Sequence, residues 1–405
     1  MDPLDVLTNL EKVEPYFQAI FSADEQKVVG YELLGRIQLE DDVHSLGPFF
    51  QDESVPEEYK IEVDNDLLKK AIQRIQEEDE DILLFVNRDV NSLMADRGES
   101  FLQILFEEKE NGFAIERVVM EITEHDYKGD MNQLQHLLTY IQTCGVKIAV
   151  ANIGKDNSNL ERIGQLSPNI LKIDLRQLKR SSPSSTFFDV LYSISLLARK
   201  IGATLLYEDI EVNHQLHHAW KNGGRYFQGY YLHRPSSQFI DRDLQKEKLR
   251  SEFHRFITHE KQRLETLFEH SQQFHLKLTN LLNKYRKHSI DYNELIQLLA
   301  HDLTNESFRI YICDEDGFQQ SGNVFKGENG WIIQPQYMMK NWSWRPYFLE
   351  NILNMRVNKR GFFSDLYSDI ETGETIRTFS YPINEKHFLF VDVPYAYLFE
   401  HDGLL

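Results

Sequence analysis

Over residues 15–235, short apolar segments alternate with longer amphipathic ones, and this alternation constrains the fold more than any other feature of the chain. Strand patterns fall at 16–21, 28–34, 81–86, 118–123, 148–153, 170–173, 204–207 and 226–231. Helical periodicity lies between them, most clearly at 65–76, 132–143 and 188–200. Strands separated by helices pair in parallel, because a parallel neighbour needs a long crossover. The class is therefore α/β with a mostly parallel sheet. A closed (β/α)8 TIM-like barrel fits best, since no glycine-rich dinucleotide turn follows the first strand. An open doubly wound sheet is the alternative.

The pattern changes after residue 240. Phe253, Ile257, Leu264, Leu267, Phe274, Leu278, Leu281 and Tyr285 follow a near-heptad spacing that predicts one long helix with a narrow apolar seam. Ten Lys/Arg and five Asp/Glu between Lys246 and Lys287 make it basic, which suits a solvated face or an anionic surface. Beyond it, segments such as SFRIYICDEDG, GWIIQPQY and HFLFVDVPY predict an antiparallel sheet, with one helix near residues 346–356. The expected organisation is a barrel over 1–240, a helical linker and possible dimer seam over 241–287, and a small α+β domain over 288–405.

Composition excludes several classes. The formal charge of −20, from 44 Lys/Arg against 64 Asp/Glu, argues against a polymeric nucleic-acid partner. No run nears the length of a membrane span, and the start MDPLDVLTNLEKVEPYF lacks the basic and apolar parts of a signal peptide. Two distant cysteines, Cys144 and Cys313, fit a reducing cytoplasm rather than a disulfide framework.

Polar residues recur at the ends of the apolar strands: Glu32, Asn87, Glu121, Lys172 with Asp174, Glu208 with Glu211, and Gln228. The carboxyl ends of barrel strands form the active-site face. A charge there costs several kcal/mol unless it is paired or metal-bound. Glu32, Asn87 and Glu121 offer the hard oxygen ligands that magnesium, manganese or calcium prefer. A buried polar network closing the barrel mouth is the other reading of the same residues.

These segments resemble the EAL family of cyclic di-GMP phosphodiesterases. The family's name motif stands as Glu32-Leu33-Leu34-Gly35-Arg36, and its metal-binding asparagine as Asn87. The further signatures are Glu121-Ile122-Thr123-Glu124, Lys172-Ile173-Asp174, Tyr207-Glu208-Asp209-Ile210-Glu211 and Gln228-Gly229-Tyr230-Tyr231. The resemblance implies a two-metal barrel hydrolysing cyclic di-GMP. It makes Glu32, Asn87 and Glu121 the first metal's ligands, and sets Lys172 and Glu208 near the attacking water and second metal. Arg36 would contact phosphate, Asp174, Glu211 and Gln228 would bind the nucleotide, and Glu124 would anchor the loop after the strand at 148–153.

That strand departs from the pattern. Active members carry two adjacent aspartates there, one bridging both metals; this chain has Ala151 and Asn152, followed by the loop 154–159 with Lys155 and Asp156. Alanine offers no ligand atom and asparagine only a neutral oxygen. One divalent metal site (Mg, Mn or Ca) is expected, and a second is not. The expected protein is a cyclic di-GMP-binding EAL module with impaired catalysis. The alternatives are a slow phosphodiesterase giving linear pGpG, with Asp156 or Asp174 as substitute ligand, and a scaffold that binds no nucleotide.

In the last domain, NWSWRPYFLENI sets Trp342, Trp344, Tyr347 and Phe348 beside Arg345. This resembles PAS-like or Cache-like sensor domains, which implies a small ligand. Arg345 and Arg377 are the candidates to grip it. A seamed helix between sensor and barrel predicts a homodimer.

Overall fold

The computed structural model describes residues 3–39, 42–123, 127, 129–153, 160–179, 185–285, 291–345 and 348–401. The chain divides into two compact units, with the boundary between His254 and Arg255. Glu124, Lys155 and Asp156 lie outside the described residues.

Among the described residues nine strands build the first unit: β1 (Val13–Ser22), β2 (Val28–Leu39), β3 (Asp42–Ser45), β4 (Leu83–Asn87), β5 (Val118–Ile122), β6 (Lys147–Ile153), β7 (Ile170–Asp174), β8 (Thr204–Glu208) and β9 (Tyr226–Phe227). The sheet runs β1-β9-β8-β7-β6-β5-β4-β2-β3, and β1 also pairs β2, so eight strands close a barrel and β3 extends it. From β2 through β9 neighbouring barrel strands are parallel, with helices between them, as the alternation demands. β1 differs. It runs antiparallel to both β2 and β9, because only a tight turn separates it from β2 and no crossover helix is available. The last strand is also shorter than its sequence pattern, ending at Phe227.

Side-chain alternation explains how the barrel carries its site. An apolar layer inside the barrel includes Phe85, Val119, Ala149, Ile170 and Leu206, with Tyr226 packed against it. Two residues further along a strand the side chain returns to the same face. Those positions are Asn87, Glu121, Ala151, Lys172, Glu208 and Gln228. Glu32 joins them although it lies mid-strand in β2. The parallel pairing of β2 with β4 stops at Glu32↔Phe85, and the rest of β2 runs on beside β1 and β3.

One helix, Lys246–Tyr285, serves both units in turn. Near its start Phe253 is buried beside Phe227. In its last turns Phe274, Leu278, Leu282 and Tyr285 enter the core of the second unit. That corrects the reading of the whole seam as a dimer contact, since its final third is covered by its own domain. Among the described residues of this helix the exposed large apolar ones are Ile257, Leu264, Phe268 and Leu276, and the first three form a shorter stripe that includes a residue outside the predicted seam.

The second unit is the expected α+β domain. Its sheet runs β12 (Gly330–Gln334), β11 (Asn323–Gly327), β10 (Arg309–Asp314), β16 (His387–Val393), β15 (Thr375–Pro382) and β13 (Phe362–Phe363); β14 (Tyr367–Ser368) pairs β15. All the pairings are antiparallel. Ile310 and Ile312 face the core containing the long helix, while Tyr311 and Cys313 face a second cluster with Phe348, Ile352 and Met355 from the helix Phe348–Asn358. Among the described residues no helix is long and apolar enough to cross a membrane.

Candidate metal and nucleotide site

Lys172 is the centre of the barrel mouth. Its side chain is almost fully buried, and its Nζ donates to Glu32 Oε2 at 2.8 Å and to both Glu121 oxygens at 2.9 Å. Glu208 Oε2 lies 3.2 Å away. Asn87 Nδ2 donates to Glu32 Oε1 at 2.9 Å, and Gln228 Nε2 to Glu32 Oε2 at 2.6 Å. Six sequence candidates from six strands or strand ends thus meet in one network.

The network is electrically lopsided, since one ammonium faces three carboxylates. Burial pushes the Glu121 carboxyl up to about 8, with the charges of Glu32 and Glu208 adding and Lys172 opposing. Burial also raises Glu208. Glu32 goes the other way: burial disfavours its charge, but Lys172, Asn87 and Gln228 outweigh that and hold it below the usual carboxylate range. Burial likewise opposes the charge of Lys172, and the three carboxylates overcome it, so Lys172 stays protonated.

The donor set fits one divalent cation. Glu32 and Glu121 supply carboxylates, Asn87 is exposed and turns only its amide nitrogen to Glu32, and the buried Gln228 Oε1 has no hydrogen-bond partner. An uncompensated acceptor and excess negative charge are what a hard cation satisfies. Gln228 is held there by its neighbour. Gly229 takes φ +151°, and a Cβ on it would stand 2.1 Å from the Ile210 carbonyl oxygen, so only glycine allows this approach.

At β6 the ring of polar side chains is broken. Ala151 is buried and presents a methyl group. Asn152 takes φ +58°, where the β6–β7 register shifts between Val150 and Ile153, and its Nδ2 donates to Thr123 Oγ1 at 3.3 Å. One contact of Asn152 is thus with Thr123, the threonine of the Glu121-Ile122-Thr123-Glu124 signature.

The remaining candidates take other places. Asp174 pairs in register with Glu208, but its carboxylate accepts from Arg176 Nε at 2.8 Å and from the Arg176 backbone N–H at 2.7 Å. Glu211 is half-buried beyond β8, with its N–H on Gln215 Oε1 at 2.7 Å. Arg36 is half-buried, donates to the Gly35 carbonyl at 2.9 Å and lies 5.7 Å from the Tyr16 ring centroid. Arg36 and Asn87 border a cavity of about 360 Å³. In the second unit Arg345 lies over Trp342 at 4.6 Å and lines a cavity of about 240 Å³ with Trp344, whereas Arg377 is buried and donates to the Ser364 carbonyl at 2.6 Å.

Comparison with known proteins decides the family. Residues 4–235 match the EAL domain, and residues 239–405 match an EAL-domain associated signalling protein domain. The chain belongs to the EAL family. It is 59% identical to the uncharacterized EAL-domain containing protein YkuI of Bacillus subtilis (strain 168), over the full length of both. The crystal structure of that protein, in complex with substrate c-di-GMP and calcium, superposes with a TM-score of 0.96 over all of both chains. An EAL domain protein from Listeria monocytogenes EGD-e, 20% identical, shares the barrel fold at a TM-score of 0.51, covering 58% of this chain and 94% of that one. The probable cyclic di-GMP phosphodiesterase PdeN of Escherichia coli (strain K12) is 27% identical over 29% of this chain and 23% of its own. The EAL fold explains why the polar residues share one rim.

Proposed function

We propose that this chain is a cyclic di-GMP receptor that holds the nucleotide and one divalent cation at the barrel mouth and hydrolyses it poorly. The observation that carries the reading is Ala151, an alkyl group in a rim layer otherwise made of Asn87, Glu121, Lys172, Glu208 and Gln228. Glu32, Asn87 and Glu121 would hold the cation, which would supply positive charge to a phosphate oxygen. Lys172 fixes Glu32 and Glu121 in place, and its charge lessens their repulsion of an anionic ligand. Full-length similarity to a protein crystallised with c-di-GMP and calcium supports the ligand. The engagement of Asp174 by Arg176 speaks against its use as a substitute ligand.

A second copy of the chain is the proposed cover for Ile257, Leu264 and Phe268, which fall on one stripe of the long helix. The free thiols Cys144 and Cys313 support a reducing compartment for the protein. The cavity beside Trp342, Trp344 and Arg345 is the proposed seat of a small ligand of the second unit.

Titration calorimetry with cyclic di-GMP and calcium, followed by assay of the same samples with magnesium or manganese for linear pGpG, tests the proposal. Heat without appreciable product is expected. Turnover at ordinary enzymatic rates of about 1–10³ s⁻¹ contradicts impaired catalysis, and absence of heat contradicts the receptor.

A further inference from the structure

The first turns of the helix Lys246–Tyr285 are fastened to the two loops that leave β8 and β9, which carry Glu211 and Gln228. The fastening centres on Glu252, a carboxylate about nine-tenths buried in the barrel unit. The Tyr231 hydroxyl donates to Glu252 Oε1 at 3.0 Å, and Asn213 Nδ2 donates to Glu252 Oε2. One turn earlier, Lys248 Nζ donates to the Tyr231 carbonyl at 2.6 Å and lies 3.7 Å from the Tyr231 ring centroid. Gln245 Nε2 donates to the Leu232 carbonyl at 2.6 Å. A buried carboxylate is costly unless its oxygens find donors, so Tyr231 and Asn213 are bound to Glu252 and through it to each other.

The inner side of the same loops is the site. Gln228 N–H donates to the Tyr207 carbonyl at 2.9 Å, Ile210 N–H to the Gln228 carbonyl at 3.1 Å, and Tyr231 N–H to the Ile210 carbonyl at 2.9 Å. Asn213 follows Glu208 and Glu211 on one loop, and Tyr231 follows Gln228 on the other. Glu252 therefore closes a ring whose opposite side is the contact of Gln228 with Ile210. The backbone of that ring is unusual at Asp209, with φ +57°, and at Gly229, which meets Ile210 where no Cβ fits. A non-glycine residue in that region persists only where the surrounding contacts over-determine it.

We propose that Glu252 is a positioning residue of the nucleotide site, and that the seating of the helix's first turns sets how tightly the barrel mouth holds its ligand. The inference rests on the cyclic di-GMP reading above and adds what regulates that site. Gln228 reaches Glu32, a proposed cation ligand, through one hydrogen bond, and Glu208 lies 3.2 Å from Lys172. Both belong to strands whose loops Glu252 joins. Releasing Glu252 lets Tyr231 and Asn213 separate, and Gln228 and Glu211 lose their fixed spacing with them. The site is then less pre-organised, and the ligand must supply the ordering when it binds. Linkage makes the effect reciprocal: a seated helix tightens the nucleotide, and the nucleotide seats the helix by the same factor. The same helix runs unbroken into the core of the second unit.

Calorimetry of cyclic di-GMP with calcium-loaded full-length protein tests this on wild type, Tyr231→Phe, Glu252→Gln, Glu252→Ala and the double variant Tyr231→Phe/Glu252→Ala. Hydrogen exchange over residues 246–253 is followed in parallel. Glu252→Ala is expected to lose roughly five- to a hundredfold in affinity, and Tyr231→Phe roughly three- to tenfold. Glu252→Gln keeps an acceptor for the Tyr231 hydroxyl and is expected to recover most of the loss. The double variant is expected to bind no worse than Glu252→Ala, because both changes cut the same link. In wild type, saturating nucleotide is expected to slow exchange over residues 246–253 beyond any slowing in the helix Met131–Thr143. That extra slowing is expected to vanish in Glu252→Ala. A Glu252 with only a structural role would lower the melting temperature and leave the affinity and the exchange response of the folded protein as in wild type. That result overturns the inference and leaves the receptor reading standing. Tyr231→Phe removes one hydroxyl and decides the question if Glu252→Ala does not fold: unchanged affinity with an unchanged exchange response overturns it. Wild type that gives no heat removes the receptor reading first, and this one with it.

Discussion

Each unit buries one cation among three carboxylates, and the two arrangements have opposite consequences. In the second unit Arg309 Nε contacts Asp392 at 2.6 Å, Nη2 contacts Asp369 at 2.6 Å, and Nη1 reaches Glu371 at 3.0 Å. The carboxylates are then capped: Thr378 donates to Asp392 at 2.6 Å, Tyr337 to Glu371 at 2.5 Å, and the Thr372 N–H and hydroxyl to Asp369 at 3.0 and 3.1 Å. In the barrel Lys172 is a compact point charge with three donors, and around it one buried acceptor, Gln228 Oε1, stays without a partner. A planar fork with hydroxyl caps closes a cluster into structure. A point charge with spare acceptors leaves a cluster open to a second cation.

Removing each cation breaks this comparison most directly. Lys172→Met and Arg309→Met each leave buried carboxylates without their partner, and each is expected to destabilise its own unit by about 3–5 kcal/mol in chelator. Calcium should restore much of the loss in Lys172→Met, because a dication can replace the ammonium among Glu32, Glu121 and Glu208, and none in Arg309→Met. Urea denaturation followed by hydrogen exchange in β5 and β16 reads the units separately. Equal rescue of both variants, or of neither, would end the distinction between open and closed clusters.

The next effect concerns chemistry rather than stability. Placing aspartate at both Ala151 and Asn152 supplies carboxylates at the interrupted part of the rim. Pre-organised electrostatic contributors are commonly worth roughly 10²–10³ in rate each, and a gain of at least that size in linear pGpG formation with manganese is expected. No gain would place the catalytic defect elsewhere, with the loop 154–159 the first segment to exchange.

How much of this was legible in the sequence follows the same physics. The barrel was readable because each parallel strand needs its own apolar run and each crossover its own periodic helix. Its rim was readable because a charge such as Lys172 at the end of ILKID stands out against the apolar residues before it. The reversal of β1 was not, since an apolar strand looks the same in either direction. The seam of Lys246–Tyr285 was misassigned in part because heptad spacing specifies an apolar stripe and leaves open what covers it; Phe274 and Leu278 cover the sheet of their own domain. Asn152 reads from sequence as a poor metal ligand, whereas its positive φ and contact with Thr123 depend on the bulge at the end of β6.

The smallest expected effect is a difference in the sign of pH dependence. Burial holds Glu121 above its ordinary value of 4.5, at about 8, so the metal-free barrel binds more protons folded than unfolded between those values. Its stability should therefore fall as pH rises from about 4.5 to about 8. Burial also opposes the charge of Asp369, but Arg309 and the Thr372 groups outweigh it and hold that carboxyl below its ordinary 3.8. Its contribution is present above 3.8 and is lost as pH falls below that value through the folded one. Hydrogen exchange at β5 and β16 across pH, corrected for intrinsic exchange rates, should show the barrel weakening toward alkaline pH and the second unit weakening only in acid. Calcium should flatten the slope in β5, because a bound dication keeps Glu121 ionised, and leave β16 as it was. A barrel slope that persists in saturating calcium would mean that the proton on Glu121 and the cation do not compete for the same carboxylate.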